Sequence, residues 1–349
     1  MTWTLSQYRT GDLVEVRTAA EILATLDQNG CIGGMPFMPE MLQFCGQRVR
    51  VEAVAHKTCD TIKGVRGLRL QSAVHLAGVR CDGSAHGECQ AACNLYWKDA
   101  WLKPVHDNQN RPDEPATVAS SHSSPGITQA RLVECTRVPA GADHQEPRYS
   151  CQATQLLEAT EPLPRWDLRQ YVYDVITRNH SLGKAARVLA LVPWGWLLRN
   201  IPYGYRVARF LYDQMHRLLT GRESPIVAGR LAPGARTPTG KLDLKPGELV
   251  RIKTKREIEQ TLDEKENNRG LSFDEEMTPY CGKVYRVQRR VTTILDEKTG
   301  YLVKMKYPCI MLEGVVCTSQ YSQCRLLCPR AIPSYWREIW LERVDNTCQ

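Results

Sequence analysis

At 349 residues the chain is about twice the usual domain length, so two or three compact units are expected. Its 42% hydrophobic and 24% charged residues are ordinary for a soluble globular protein, and no run of about 18 apolar residues exists to span a bilayer. The net charge of +8, from 46 Lys and Arg against 38 Asp and Glu, is too mild to define a partner until its location is known. Residues Met1 to Gly11 lack the basic start and apolar stretch of a signal peptide, which makes the cytoplasm the expected location. In that reducing compartment, clusters among the fourteen cysteines read as metal ligands before disulfides.

The first predicted module spans residues 8–106. It opens with the alternating run Leu13-Val14-Glu15-Val16, a strand after a Gly-Asp turn. Thr18 and Glu21 stand at capping-box spacing, so a short helix is expected from there to near Asp27. Strand-like stretches follow at Arg48 to Ala55 and Leu68 to Arg80, then a cysteine-rich loop and the closing string Tyr96-Trp97-Lys98-Asp99-Ala100-Trp101-Leu102.

Residues 107–165 form a predicted linker that carries Cys135 and Cys151 and begins with a stretch rich in Pro, Ser, Asn and His. Residues 166–222 turn helical in pattern, with apolar residues at helix spacing; Pro193 and Pro202 predict two or three short helices there. From Arg165 to Arg222 the segment holds ten Lys and Arg against three Asp, so it carries +7 of the total. Trp194, Trp196, Tyr203, Tyr205, Phe210 and Tyr212 are interleaved with these charges. That mixture suits an acidic protein or an anionic membrane surface, and nucleic acid less well, while a solvated basic face is the bland alternative. A second linker is expected over 223–244.

The second module, 245–346, repeats the first at a constant offset of 236 residues, without a gap, from Gly11/Gly247 to Cys81/Cys317. Identities include Val14/Val250, Thr18/Thr254, Glu21/Glu257, Phe37/Phe273, Glu40/Glu276 and Cys45/Cys281. The strands expected here are Val284 to Val291 and Tyr301 to Val316, joined by a turn, and the module closes on Tyr335-Trp336-Arg337-Glu338-Ile339-Trp340-Leu341. The pattern predicts an α+β protein: two homologous small β-barrel-like modules of the Src-homology-3-like type, each with a cysteine-rich loop, joined by the helical insert.

The stretches His56-Lys57-Thr58-Cys59-Asp60, Cys81-Asp82-Gly83-Ser84-Ala85-His86, Tyr149-Ser150-Cys151-Gln152-Ala153-Thr154 and Pro329-Arg330-Ala331 resemble an uncharacterised bacterial family of duplicated cysteine-rich modules. That resemblance implies the duplicated architecture and supplies no activity.

Four cysteines recur at equivalent places, Cys45, Cys81, Cys89, Cys93 in one module and Cys281, Cys317, Cys324, Cys328 in the other. Four thiolates make a closed structural shell for zinc, and the four-residue step between the last two puts both on one face of a helical turn. An iron-sulfur cluster is the competing cofactor. The string from Cys81 to His86 resembles the CDGSH iron-sulfur motif with one residue inserted, but it lacks the Cys-x-Cys pair upstream. His56, Cys59, His75 and His86 belong to the first module alone; the second has Thr292, Leu295 and Met311 at the first three offsets. Cys59, His56 and His75 are therefore the candidate catalytic residues, a thiolate-imidazole group weighed against ordinary core packing. Cys31 and Cys348 have no counterparts and receive no role. Gly-rich phosphate loops, Gly-x-Ser-x-Gly elbows and His-Glu-x-x-His motifs are absent from the sequence. The expectation is a metal-stabilised tandem-module binding or accessory protein, with an enzyme or iron-sulfur redox protein, its site in the first module, as the alternative.

Overall fold

The computed structural model describes residues 3–64, 66–105, 126–139, 146–200, 205–322 and 325–344. The chain is mixed α+β with sheet predominating, and it divides into two compact units, Met1–Asn179 with Leu295–Val303, and His180–Ile294 with Lys304–Gln349.

In the first unit the run Leu13–Val16 forms a strand because its alternation puts Val14 and Val16 into the core. Glu21 accepts from the Thr18 backbone N–H at 2.8 Å while Thr18 Oγ1 accepts from Glu21 N, so the capping box forms. The helix, Ala19–Leu23, is shorter than expected: Asp27 Oδ1 instead accepts from the N–H groups of Asn29 and Cys31, both at 2.9 Å, and builds a turn. The five-stranded antiparallel sheet runs in the order Trp97–Lys98, Ala73–Leu76, Arg48–Val54, Leu13–Val16, Leu102–Pro104. Its two edges are not paired with each other among the described residues, so the sheet is open rather than a closed barrel.

The expected strand Leu68 to Arg80 is two strands, Gly67–Arg69 and Ala73–Leu76, because Ser72 takes φ +45° and breaks the extended run. Gly67–Arg69 pairs instead with Lys57–Cys59 and with Glu161–Leu163 in a separate three-stranded sheet. Part of the expected linker is therefore structural. Ile127 and Leu132 are buried, and helix Gln129–Cys135 is capped by Thr128 Oγ1, which accepts from Arg131 N. Helix Arg169–Ile176 leads to Asn179, whose side chain accepts from Val54 N and donates to Val54 O, both at 2.8 Å.

The second unit has a sheet of the same strand order: Pro333–Trp336, Leu302–Val316, Val284–Leu295, Leu249–Ile252, Leu341–Arg343. Its register Leu249↔Arg286 and Val250↔Tyr285 lies 236 residues beyond Leu13↔Arg50 and Val14↔Val49. The cores match as well. Phe37 meets Trp97 and Trp101 edge-on at centroid distances of 6.1 and 5.1 Å, and Phe273 meets Trp336 and Trp340 at 6.1 and 5.4 Å. Here the two long strands are unbroken, 12 and 15 residues, and the tip of their hairpin, Leu295–Val303, counts with the first unit. Val227 and Leu244, from the expected second linker, are buried in this core.

The helical insert holds three helices, Arg169–Ile176, Leu182–Asn200 and Tyr205–Thr220, within the expected two or three, although Pro193 does not end one. Helix Leu182–Asn200 continues through position 193, and Tyr205–Thr220 packs against it; Pro202 lies outside the described residues. An interior proline removes one hydrogen bond, which tertiary packing of a 19-residue helix tolerates. Among the described residues no helix is long and apolar enough to cross a membrane.

Candidate metal centre of the first module

The strand Ala73–Leu76 leaves the sheet toward Cys81, whose N–H donates to Cys93 O at 2.9 Å and so ties both ends of the cysteine-rich loop together. Inside it Asp82 Oδ1 accepts from the N–H and hydroxyl of Ser84, and Gly83 O accepts from His86 N and Glu88 N. Gly83 has φ +80°, and a Cβ there would stand 2.0 Å from Cys89 O, so only glycine fits. This winding returns His86 toward Cys81.

Facing the loop is the 3₁₀ helix Pro39–Phe44, which carries Glu40 inward. Cys81 Sγ lies 3.4 Å from Glu40 Oε1 and 3.5 Å from His86 Nε2, and His86 Nδ1 lies 3.5 Å from Glu40 Oε1. All three residues are buried, and Glu40 Oε2 and His86 Nδ1 have no hydrogen-bond partner. Among the described residues this is the group of sulfur, nitrogen and carboxylate donors close enough together to hold one metal ion.

Burial works against charge on every member. It raises Glu40 to about 6, with Asp82 adding to the rise, and lowers His86 to about 4. Burial, reinforced by Glu40 and then by Cys93 and Cys151, pushes the Cys81 thiol far above its ordinary value. The site thus lacks a positive charge, and a divalent cation would supply it.

The structure therefore joins Cys81, from the expected four-cysteine set, to His86 and to Glu40, which sequence reasoning passed over as a candidate. Glu40 did carry a signal, since it is one of the identities shared with the second module, at Glu276. Cys93 and Cys151 interact electrostatically with Cys81, and Cys151 with Cys89. Cys89 Sγ accepts from Leu295 N at 3.2 Å, in the hairpin tip that belongs to this unit. The same tip is fixed by Tyr149 N donating to Gly300 O at 2.8 Å and Arg148 Nε donating to Thr299 O at 2.8 Å. Cys135 interacts electrostatically with Cys31, and the hairpin of Arg137–Val138 with Arg148–Tyr149, extended by Ser150 N donating to Thr136 O at 2.8 Å, carries Cys135 and Cys151 at its open end. Cys45 ends the 3₁₀ helix, half-buried, and is not a member of the metal-compatible group.

His56 Nε2 lies 3.1 Å from Gln170 O and 3.4 Å from Asp174 Oδ1, beside the buried Lys57 to Asp174 ion pair of 2.6 Å. His75 Nδ1 lies 2.9 Å from Leu95 O, with its ring against Tyr96, and Cys59 ends a buried strand.

In the second unit the equivalent glutamate is used differently. Glu276 accepts from the Thr318 hydroxyl and from the backbone N–H groups of Gln320, Tyr321 and Ser322. Cys317 Sγ lies 3.5 Å from Ser319 Oγ and accepts from Arg325 at 3.9 Å. Cys281 borders a cationic cleft, Cys328 is buried, and Cys324 lies outside the described residues.

Comparison with protein-family models, with curated proteins and with solved structures finds no match to this chain.

Proposed function

We propose that the chain is a metal-stabilised binding or accessory protein built on two Src-homology-3-like modules, of which the first holds one zinc ion. The strand order, with a 3₁₀ turn before the last strand of each sheet, supports the module type. The observation that carries the metal is the convergence of Cys81, Glu40 and His86 within 3.5 Å, with two buried polar atoms unpartnered. Cys81 would bind as the thiolate, Glu40 and His86 would complete three ligands, and Cys93 or Cys151, which interact electrostatically with Cys81, would be candidates for a fourth. Such an ion would tie the loop from Cys81 to Cys89 to the helix Pro39–Phe44 and contribute folding energy directly.

The binding surface on this reading is helix Tyr205–Thr220. One face buries Ala208, Tyr212 and His216; a second carries Arg209, Asp213 and Arg217; a third leaves Val207, Phe210, Leu211 and Leu218 exposed. An exposed apolar stripe beside a charged one, in which Arg209 pairs with Asp213 and Arg217 keeps a net positive charge, suits a helix lying in an anionic bilayer interface.

Elemental analysis of protein purified without chelator tests the centre: one zinc per chain is expected, none in Cys81→Ser, and full content in Cys317→Ser. Two zinc ions per chain would favour the two four-cysteine shells, and iron with labile sulfide an iron-sulfur cluster. Sedimentation with phosphatidylserine vesicles tests the surface. Replacing Phe210, Leu211 and Leu218 with Ser is expected to abolish co-sedimentation, whereas binding that survives it, or binding only to an acidic protein, overturns the membrane reading.

A further inference from the structure

A cleft of about 520 Å³ opens in the second unit, within the size range of small-molecule sites. Its walls carry Arg222, Lys255, Arg256 and Lys283, against the single acidic side chain of Glu223. Lys255 Nζ donates to Ser224 O at 2.7 Å and stands 3.7 Å from Glu259 Oε1; Lys283 Nζ donates to Pro279 O at 2.7 Å. These contacts fix the ammonium groups in place; Glu259 offsets part of the Lys255 charge, and Lys283 has no carboxylate within ion-pair distance among the described residues. Arg222 and Arg256 have no carboxylate within ion-pair distance among the described residues. Cys281 and Tyr321 complete the lining.

The first module shows that the fold does not need this charge. At the offset of 236, Lys255, Arg256 and Lys283 correspond to Ala19, Ala20 and Gln47, while Thr254 and Gly282 correspond to the identical Thr18 and Gly46. The cap and the turn are shared, so the three cations are an addition to a common frame. Four converging cations with two free guanidinium forks suit several phosphate oxygens at once. They would also repel a metal cation, which removes Cys281 from contention as a ligand for one.

We infer that this cleft binds a compact polyanion carrying two or more phosphate groups. The ligand comes either free, as a diphosphate or nucleotide, or as the phosphorylated headgroup of a lipid. This inference does not depend on the metal centre.

Calorimetry with pyrophosphate and with ATP, and sedimentation with vesicles containing a phosphoinositide bisphosphate, form the test. Wild-type protein should bind at least one of these probes, more weakly as salt rises from about 50 to about 300 mM. The variant Lys255→Ala, Arg256→Ala, Lys283→Gln, which restores the residues of the first module, should weaken binding at least tenfold. The milder Arg256→Ala, Lys283→Gln pair, at exposed positions, guards against a folding defect and should weaken it at least threefold; Arg286→Ala, outside the cleft, should leave it unchanged. Binding of pyrophosphate or ATP identifies a free ligand, and binding of the vesicles alone a lipid headgroup. No binding of any probe, or affinity equal in wild type and both cleft variants, overturns the proposal.

Discussion

Glu40 and Glu276 sit at the same place in two modules of the same strand order, on the same 3₁₀ helix, and do different work. Glu276 is saturated: three backbone N–H groups and a hydroxyl hold its carboxylate and thereby shape the loop that follows Cys317. Glu40 meets a thiol and an imidazole instead and keeps one oxygen unpartnered. The difference begins in the loops, where the first module winds on Gly83 and places His86 and the second turns on Ser319 and offers its N–H groups. A buried carboxylate retained in both modules is thus structural where the loop satisfies it and available for a ligand where the loop does not.

The loops provide the largest test of that contrast. Gly83→Ser introduces the residue that stands at position 319, yet its Cβ would meet the Cys89 carbonyl at 2.0 Å. It should destabilise the first unit by about 4 kcal/mol, from overpacking and left-handed strain together. Chemical unfolding measures it, and a loss below about 1 kcal/mol would mean the two loops are interchangeable.

Next is the pair of glutamates. Glu276→Gln should cost about 3 kcal/mol, because an amide returns fewer and weaker acceptor sites to the three N–H groups. Glu40→Gln should cost under about 1 kcal/mol in metal-free protein, since it removes a buried charge, while abolishing metal content. Equal losses in the two variants would erase the distinction.

Acidity separates the members of the first site. His86 is depressed from 6.5 to about 4, so its neutral form contributes stability above pH 6.5 that is lost as pH falls toward 4, about 3 kcal/mol. Glu40 is raised from 4.5 to about 6, so its contribution is present below pH 4.5 and lost as pH rises through 6, about 2 kcal/mol. In chelator-treated protein the two nearly cancel, and the variants expose them. His86→Gln should gain stability on acidification from pH 7 to 4.5, and Glu40→Gln should lose it, in urea midpoints followed across that range. Parallel profiles would contradict the burial of both groups.

The smallest expected effect is a symmetric one. Thr18→Ala and Thr254→Ala should each cost about 1 kcal/mol of their own unit, because both modules form the same capping box. A cap that mattered in only one would show that the common frame is less common than its registers suggest.

By itself the sequence determined what local chemistry and repetition control. The offset of 236 predicts matched strands, and the registers Leu13↔Arg50 and Leu249↔Arg286 fall on it. Thr18 with Glu21, and Thr254 with Glu257, predict helices that start where they do, because a cap is satisfied within four residues. Cys81 and His86 were legible as unusual residues of one loop.

Only the tertiary structure decided which partners they meet. Glu40 is 41 residues from Cys81 in sequence and 3.4 Å away in space, a contact that no spacing rule encodes. The burial that raises Glu40 and lowers His86 exists only once the loop is wound against the 3₁₀ helix. The expected linkers differ for a related reason: Pro- and Gly-containing stretches look solvated locally, yet Ile127 and Leu132 are buried beside Gly30, and Val227 and Leu244 join the core of the second sheet. The long hairpin shows the same limit, since residues 295–303 lie within the second module in sequence, yet their hydrogen bonds to Cys89, Arg148 and Tyr149 place them in the first unit.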